Sequence, residues 1–330
     1  QVNKTLMIPY GNDIEKAAQI IKAGGLVAFP TETVYGLGAS AFNKVAVARI
    51  FEVKQRPSFD PLIVHISSID QLNMLFESPI EPLVYKLAEL FWPGPLTIVH
   101  KKKAGVPDII TSGLDTVAVR MPSHTTARKL IELAEIPIAA PSANRFGRIS
   151  PTKPQHVQKQ LTGVEYLLTS DEAVKIGIES TVVAIDGDTC NILRPGAITL
   201  EHLTNNGIKA ESNKEKASKA LSSPGLLKSH YAPLKPLYMF SRLPETFPSN
   251  SGIIVHSNKY NLPDNIKTAI TSDNNTMTEI AANLFESLHQ MEDDPSIDNI
   301  FIEVVEKNGI GIAIMDRVQK AAFHTEQRYL

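Results

Sequence analysis

The chain has 330 residues, of which 43% are hydrophobic and 21% charged, and its formal net charge is −2. This composition is typical of a globular protein of about two domains, and it excludes a global charge that would recruit nucleic acid or a membrane. The single cysteine, Cys190, excludes an internal disulfide framework and predicts a reducing, cytoplasmic setting with a packing role for the thiol.

The N-terminal residues lack a basic segment followed by an apolar core, so we predict no signal peptide. No apolar run approaches the roughly 20 residues that a membrane span needs, so we predict no membrane partner.

The first 200 residues alternate short apolar strands with amphipathic helices. Asn12 and Asp13 predict the cap of a helix that continues through Lys22 and ends at Gly24 and Gly25. This alternation predicts an α/β domain without fixing its strand order. The strands are predicted at 26–29, 62–64, 96–99, 117–119, 136–140, 182–185 and 191–193, and further helices at 45–51, 83–91 and near 127–133.

The composition changes at residue 205, where Lys, Ser and Asn become frequent. We therefore predict a first domain over 1–204, a linker over 205–236 and a small α/β domain over 237–330. In the last, strands at 253–255 and 300–302 flank a helix, and Gly309-Ile310-Gly311 opens a final helix. This arrangement suggests a Rossmann-like fragment, although it carries no nucleotide-binding fingerprint.

Four strands of the first domain run directly into polar or cationic residues. They lead to Thr31–Thr33, Arg120, Ser142–Asn144 and Arg194. Because ligand sites in α/β sheets gather at strand ends, we expect these side chains to share one site.

The segment Lys54–His65 places two cations two positions apart in a loop stiffened by Pro57 and Pro61. Lys54 and Arg56 suit phosphates and carboxylates, with arginine providing a fork and lysine a point charge. A solvated basic turn is an equally good interpretation of this segment taken alone.

A second basic stretch covers residues 138–164. It contains Arg145, Arg148, Lys153 and Lys159 and no acidic residue. The local excess is compatible with binding a phosphate or an RNA backbone, whereas a solvated loop is the better interpretation of any one of these cations.

Several common chemistries lack their motifs. The sequence contains no P-loop, no zinc-binding histidine pair on a helix and no nucleophile elbow. The run Gly36–Ala41 mimics a dinucleotide fingerprint, but six residues separate it from the preceding strand, so we discount it.

Taken together, the motifs resemble the YrdC-like family. The resemblance covers roughly residues 8–200, and Pro224-Gly225 with His230–Pro233 is similar to the linker of the longer, two-domain form. It rests on Pro30–Leu37, Lys54–His65, Pro141–Asn144, Gly177–Val182 and Leu193–Gly196.

The resemblance implies a twisted, mixed-sheet α/β domain around a large basic cavity. It also implies the activity of a threonylcarbamoyl-AMP synthase, a nucleotidyltransferase that combines L-threonine, bicarbonate or CO2, and ATP and releases pyrophosphate. Mg²⁺ would arrive with the ATP. The product would pass to threonylcarbamoyl-transferase proteins that modify tRNA.

Site residues follow from the same resemblance. It implies that Lys54 and Arg56 are catalytic. It places a first set near ATP: Lys54, Arg56, Asp60, Thr116, Ser142, Asn144, Ser150, Arg194 and Tyr231. It places a second set around threonine: Thr33, His65, Arg120, Ala140 and Ser180.

Three of these positions carry alternatives. Asp60 stands where the family often has Asn, so it acts through Mg²⁺ or water, or it is not a direct contact. His65 is alternatively a structural histidine, and Tyr231 alternatively packs the linker onto the first domain.

Two other functions compete with the synthase. One is a non-catalytic RNA-binding module that uses the basic stretch. The other is a related carbamoyl-phosphate-using maturation enzyme, against which the single cysteine argues because such an enzyme needs zinc-finger-like cysteine pairs.

Overall fold

A computed structural model of the protein describes residues 7–212, 230–262, 266–323 and 325. Its elements form two sheets with helices packed on them. The strands are β1 Tyr10–Gly11, β2 Val27–Phe29, β3 Gly36–Ser40, β4 Ile63–His65, β5 Leu96–Lys101, β6 Thr116–Arg120, β7 Ile138–Ala139, β8 Tyr166–Leu168, β9 Thr181–Asp186, β10 Thr189–Arg194, β11 Ala210–Glu211, β12 Leu237–Phe240, β13 Ser251–Val255, β14 Lys267–Ile270 and β15 Asn299–Glu303. The helices are α1 Ile14–Lys22, α2 Lys44–Lys54, α3 Leu72–Leu75, α4 Pro82–Phe91, α5 Asp108–Thr111, α6 Thr125–Ala134, α7 Pro154–Gln160, α8 Leu200–Asn205, α9 Met277–Asp293 and α10 Gly311–Ala321.

The first sheet is mixed and large. Its strand order is β1-β8-β2-β3-β7-β4-β6-β5-β9-β10-β11, with parallel pairs such as β4/β6 and antiparallel pairs such as β5/β6. β9 and β10 form the hairpin predicted around residues 186–188. The prediction of an α/β fold with a mixed sheet is therefore confirmed.

Local signals explain the best-predicted elements. The Asp13 side chain accepts a hydrogen bond from the Lys16 amide at 2.9 Å, and α1 ends before Gly24, whose φ is +84°. The single cysteine packs as expected: Cys190 is buried, and burial raises the pKa of its thiol to about 12.

The discounted glycine pattern forms β3. A Cβ atom at Gly38 would lie 2.7 Å from Cε1 of Phe29 and 2.8 Å from Cγ2 of Ile138. Gly38 therefore allows neighbouring strands to pack closely. The pattern lies in a strand, whereas a dinucleotide fingerprint lies in the turn between a strand and a helix.

The second sheet is small and parallel, with strand order β12-β15-β13-β14. The predicted strands and helices of this region all form. β11 lies within the segment predicted as a linker, and it pairs with β10, so the first sheet reaches as far as Glu211.

The two sheets share a core. Val34, Ile149 and Ile178 from the first part of the chain pack in the same cluster as Leu284 and Ile314 from α9 and α10. The packing is close enough that a Cβ at Gly177 would lie 2.4 Å from the carbonyl oxygen of Ala282 in α9.

Carboxylates of α9 cover most of the basic stretch at 138–164. Arg148 pairs with Glu292 at 2.6 Å, Lys153 pairs with Glu286 at 2.7 Å, and Lys159 pairs with Glu292 at 2.9 Å. These contacts engage three of the four cations that motivated an RNA-binding hypothesis.

Two stacked histidines lie in this interface. The rings of His156 and His289 have centroids 3.7 Å apart, and Nε2 of His156 lies 3.2 Å from Oε2 of Glu286. Burial, and then the neighbouring His156, lowers the pKa of His289 to about 4. Although burial opposes it, hydrogen bonds from His156 and Lys153 lower the pKa of Glu286 to about 2.

The interface should therefore weaken in acid. Both groups bind protons more readily in the unfolded chain, His289 below pH 6.5 and Glu286 below pH 4.5, so stability is lost as the pH falls through 6.5 toward 4. A difference of one pKa unit between the folded and unfolded chain is worth about 1.4 kcal/mol. We expect the thermal unfolding midpoint to fall between pH 7 and pH 4, and less steeply in His289→Gln. Equal slopes in the two proteins would contradict this assignment.

Among the described residues, no helix combines the length and apolar character needed to cross a bilayer.

Candidate active site

A cavity opens where strands of the first sheet end, beside His230 and Tyr231. Its volume is about 570 Å³, including the part open to solvent. It is lined by Thr31, Thr33, Val34, Gly36, Arg56, Pro61, Ile63, His65, Arg120, Ala140, Pro141, Ser142, Glu179, Ser180, Arg194, His230 and Tyr231.

The polar segments that follow four strands converge on this cavity. β2 leads to Thr31 and Thr33, β6 ends at Arg120, β7 leads to Ser142, and β10 ends at Arg194. The structure therefore places residues from the ends of all four strands around one cavity.

Arg56 is held in place by Asp60. Its Nε donates to the carbonyl of Asp60 at 3.1 Å, and NH2 donates to the carbonyl of Pro61 at 2.9 Å and lies 2.9 Å from Oδ2 of Asp60. Asp60 is buried and does not line the cavity. A carboxylate at this position therefore orients Arg56, whose NH1 donates to no protein group in the described part of the chain.

Lys54 lies behind the cavity wall. Its Nζ donates to the carbonyl of Ser142 at 2.6 Å and to that of Asn144, and the side chain is buried. Burial, and then the neighbouring Arg56, lowers the pKa of Lys54 well below its usual value. Lys54 thus ties the end of α2 to the loop that carries Ser142.

Arg120 is paired with Glu32. NH2 lies 2.5 Å from Oε1 of Glu32, NH1 donates to Oγ1 of Thr33 at 2.9 Å, and Nε donates to the carbonyl of Gly94 at 3.2 Å. A guanidinium has five N–H donors, and NH2 lies close to Glu32 without forming a hydrogen bond among the described residues, so both terminal nitrogens keep unused donors. These unused donors are suited to a carboxylate fork.

His65 lines the cavity as a neutral group. Burial, and then the neighbouring Arg120, lowers the pKa of His65 to about 3. Its Nδ1 is buried and makes no hydrogen bond among the described residues. A neutral ring with an unused nitrogen favours a role toward a ligand over a purely structural one.

Ser180 and Arg194 lie against each other. Arg194 donates from Nε to the carbonyl of Ser180 at 3.1 Å and from NH2 to the hydroxyl of Ser180 at 3.1 Å. Burial lowers the pKa of Arg194, as it does that of Arg56. Two buried guanidinium groups in one cavity favour an anionic ligand.

Glu179 joins this wall to the second sheet. It accepts a hydrogen bond from the buried Ser150 hydroxyl and lies 3.1 Å from Nε of Arg317 in α10. Ser150 itself does not line the cavity.

The end of the linker closes one side of the cavity. Tyr231 is buried with φ +63°, its ring packs 5.6 Å from that of Phe285 in α9, and the Ala232 amide donates to the carbonyl of Gly147 at 2.8 Å. Burial, and then Arg56, lowers the pKa of His230 well below its usual value. Tyr231 therefore lines the cavity and also packs against α9. Its functional and its structural interpretation from the sequence are compatible with each other.

The cavity brings together most, but not all, of the predicted site residues. Arg56, Ser142, Arg194, Tyr231, Thr33, His65, Arg120, Ala140 and Ser180 line it. Four predicted residues lie behind the residues that line the cavity: Lys54, Asp60, Asn144 and Ser150. The amide of Asn144 donates to the carbonyls of Arg145 and Arg148. Thr116 begins the strand that Arg120 ends, and it does not line the cavity.

Known proteins share this sequence and fold. A family model described as "Telomere recombination" matches residues 19–196, and one described as "Threonylcarbamoyl-AMP synthase, C-terminal domain" matches residues 198–323. The threonylcarbamoyl-AMP synthase of Pyrococcus abyssi is 41% identical over 94% of both chains. The chain belongs to the threonylcarbamoyl-AMP synthase family. The synthase of Bacillus subtilis is 38% identical over 94% of this chain and 92% of its own.

The fold agrees with this membership. The crystal structure of Sua5 from P. abyssi complexed with L-threonine superposes with a TM-score of 0.83 at 38% identity, covering 96% of this chain and 98% of that one. The chain thus has the two-domain form of the threonylcarbamoyl-AMP synthase family.

Sequence reasoning missed several residues of this family member's cavity and its supports. Glu32, Glu179 and His230 lie inside the recognised motifs, where their neighbours received roles and they did not. Arg317 lies outside every motif. Its signal is a cation on the apolar stripe of α10, between Ile314 and Val318, both buried.

Proposed function

We propose that the protein is an L-threonylcarbamoyladenylate synthase, a nucleotidyltransferase that joins L-threonine, bicarbonate or CO2, and ATP. The observation that carries the proposal is the convergence of Arg56, Arg120 and Arg194 on one buried cavity in a chain of this family. ATP and the carbamate formed from threonine are both anions, and preorganised positive charge is what brings them together.

The threonine subsite lies around Arg120. Unused N–H groups on the two terminal nitrogens of Arg120 donate to the carboxylate, while Thr33, Ser180 and the neutral His65 form hydrogen bonds with the amine and hydroxyl. Ala140 supplies the backbone wall. Glu32 neutralises Arg120, so the pocket suits a zwitterion better than a simple anion.

The ATP subsite lies on the other side of Ser180. Arg56 and Arg194 face the phosphates, with Ser142 and Tyr231 beside them. Lys54, Asp60, Asn144 and Ser150 act from behind, by holding Arg56, Ser142 and Glu179 in place. Thr116 does not line the cavity, so a contact between Thr116 and ATP requires that the cavity change shape when ATP binds.

The chemistry follows from this arrangement. The neutral threonine amine attacks CO2, forms the N–C bond of a carbamate and loses a proton; starting from bicarbonate, that proton leaves with the displaced hydroxide as water. A carbamate oxygen then attacks the α-phosphorus of ATP, and the bond to pyrophosphate breaks. The residues contribute orientation and charge, and no covalent bond forms to the protein.

Mg²⁺ enters with the triphosphate in this proposal. Asp60 is already paired with Arg56, and Glu179 with Arg317, so the carboxylates nearest the phosphates serve the guanidinium groups. Mg²⁺ commonly keeps several waters and takes substrate phosphates as ligands, which fits such a site.

The remaining parts of the proposal concern organisation. We propose the domain division 1–204, 205–236 and 237–330, with the end of the first domain moved to Glu211 by the pairing of β11 with β10. We also propose a large basic cavity in the first domain and a Rossmann-like second domain. The parallel sheet with helices α9 and α10 supports the last point. We also propose a cytoplasmic location and transfer of the product to threonylcarbamoyl-transferase proteins acting on tRNA. Direct RNA contact is less favoured, because α9 already pairs with the basic stretch.

The experiment that tests the function is pyrophosphate release from ATP with L-threonine and bicarbonate each supplied or withheld. We expect release that requires threonine and is not matched by serine or alanine. Nucleotide binding without threonine-dependent release would contradict the proposal and favour a binding protein.

A further inference from the structure

We infer that Arg317, on α10 of the second domain, is a positioning residue that holds the segments carrying Ser180 and Arg194 in a fixed relation. The inference rests on the proposed function and adds a role for the second domain in it.

Arg317 reaches both segments at once. It is fully buried; Nε lies 3.1 Å from Oε2 of Glu179, NH2 donates to the carbonyl of Glu179 at 3.4 Å, and NH1 donates to the carbonyl of Pro195 at 2.6 Å. Glu179 precedes Ser180 and Pro195 follows Arg194. One planar guanidinium therefore connects the residues adjacent to a proposed threonine ligand and a proposed ATP ligand.

The two segments also touch directly. A Cβ at Gly196 would lie 2.4 Å from the amide nitrogen of Thr181. Because there is no spare space between the segments, a shift of one moves the other, and Ser180 and Arg194 keep their contact only if both stay in register.

Glu179 makes the connection depend on charge. Its carboxylate lines the cavity, accepts the Ser150 hydroxyl and pairs with Arg317. Without Arg317, a buried carboxylate would lose its counter-charge close to the phosphate side of the cavity. Such a group is costly to keep ionised, and it would be free to pair with Arg194 instead.

A second helix holds the same segment independently. Gly177 has φ +76° and packs against the backbone of Ala281 and Ala282 in α9, and Ile178 is buried in the core of the second domain. The segment that ends in Ser180 is thus fixed from outside the first domain at consecutive residues.

The expected consequence is specific to the reaction. The carbamate oxygen must meet the α-phosphorus, so the separation of the two subsites governs the chemical step. A misplacement of about 1 Å costs roughly a hundredfold in rate. Each substrate keeps its own principal contact, Arg120 or Arg56, so binding of either one alone changes little.

The test compares threonine-dependent pyrophosphate release in Arg317→Lys and in the double variant Arg317→Met/Glu179→Gln. The double variant removes both charges of the pair, and Asp316, which also contacts Arg317, keeps Lys320 as its partner. In the double variant we expect kcat to fall roughly 10- to 100-fold while KM for ATP and for threonine stays within about threefold. Arg317→Lys should be intermediate, because a point charge reaches one of the two segments.

The matched control is Val255→Ala, which thins the core of the second sheet away from the cavity. It should lower the unfolding midpoint and leave kcat unchanged when assayed well below that midpoint. Wild-type kcat in the folded double variant would overturn the positioning role, and so would an equal loss in Val255→Ala. Absence of threonine-dependent release from the wild type itself would instead overturn the proposed function, and this role with it.

Discussion

Replacing Arg56 by methionine should reduce kcat/KM for ATP at least tenfold. Hydrogen bonds to a charged group are worth about 1.5–3 kcal/mol each, and NH1 of Arg56 has no protein partner among the described residues. The same change leaves Asp60 buried without the guanidinium that it now holds. The double variant Arg56→Met/Asp60→Asn removes that secondary effect, and we expect its kcat/KM for ATP to stay low. Steady-state pyrophosphate release measures both.

The control for Arg56 lies on the preceding helix. Arg49 in α2 is partly exposed and pairs with Glu165 at 2.6 Å, far from the lining of the cavity. Arg49→Met removes the same charge from the same region and should leave kcat/KM unchanged. Equal kcat/KM values in Arg49→Met and in Arg56→Met/Asp60→Asn would show that Arg56 is not a phosphate ligand.

Replacing Arg120 by methionine should affect both stability and threonine use. The variant leaves Glu32 buried with no counter-charge, and breaking such a pair costs about 3–5 kcal/mol. Adding Glu32→Gln should restore most of the free energy of unfolding, measured by chemical denaturation. It should not restore threonine use, because the carboxylate fork is absent.

A ligand series separates the two effects of Arg120. The wild type should prefer L-threonine over L-threoninamide, which lacks the carboxylate, and the double variant Arg120→Met/Glu32→Gln should bind the two alike in calorimetry. Arg128→Met, at an exposed position of α6, provides the matched control and should keep the wild-type preference. A double variant that still prefers threonine would place the carboxylate elsewhere in the cavity.

How much of the fold could be predicted depended on where each signal lay. Asp13 caps α1 by accepting a hydrogen bond from an amide three residues away, and the β9–β10 hairpin joins strands that are consecutive in the chain. Both elements could therefore be predicted from short segments of sequence. β3 was missed because its glycines give no apolar pattern. Gly38 instead permits close contacts with Phe29 of β2 and with Ile138 of β7, which lies far along the chain. β11 was predicted as part of the linker because its two residues show no apolar pattern of their own. Its place in the sheet comes from pairing with β10.

The candidate site followed the same division. Polar residues that directly follow strands can be recognised from sequence, so Arg120, Ser142 and Arg194 were candidates for one site. Strand direction alone does not bring them together, because β7 runs antiparallel to β4 and therefore to β6. Which way a side chain turns within a motif is decided by packing, and this is why Lys54 and Asp60 proved to support the cavity wall rather than line it. The partners of the basic stretch lie more than 130 residues away on α9, beyond the reach of any local pattern.

The core shared by the two sheets bears on how the molecule loses its structure. Val34, Ile149 and Ile178 would be exposed to water if the second sheet came apart, although the first sheet also has a larger core of its own. Melting of the two parts is therefore coupled, and a heating experiment should record one cooperative transition in place of two independent ones. The two sheets are separate in topology, but because of this shared packing we expect them to unfold together.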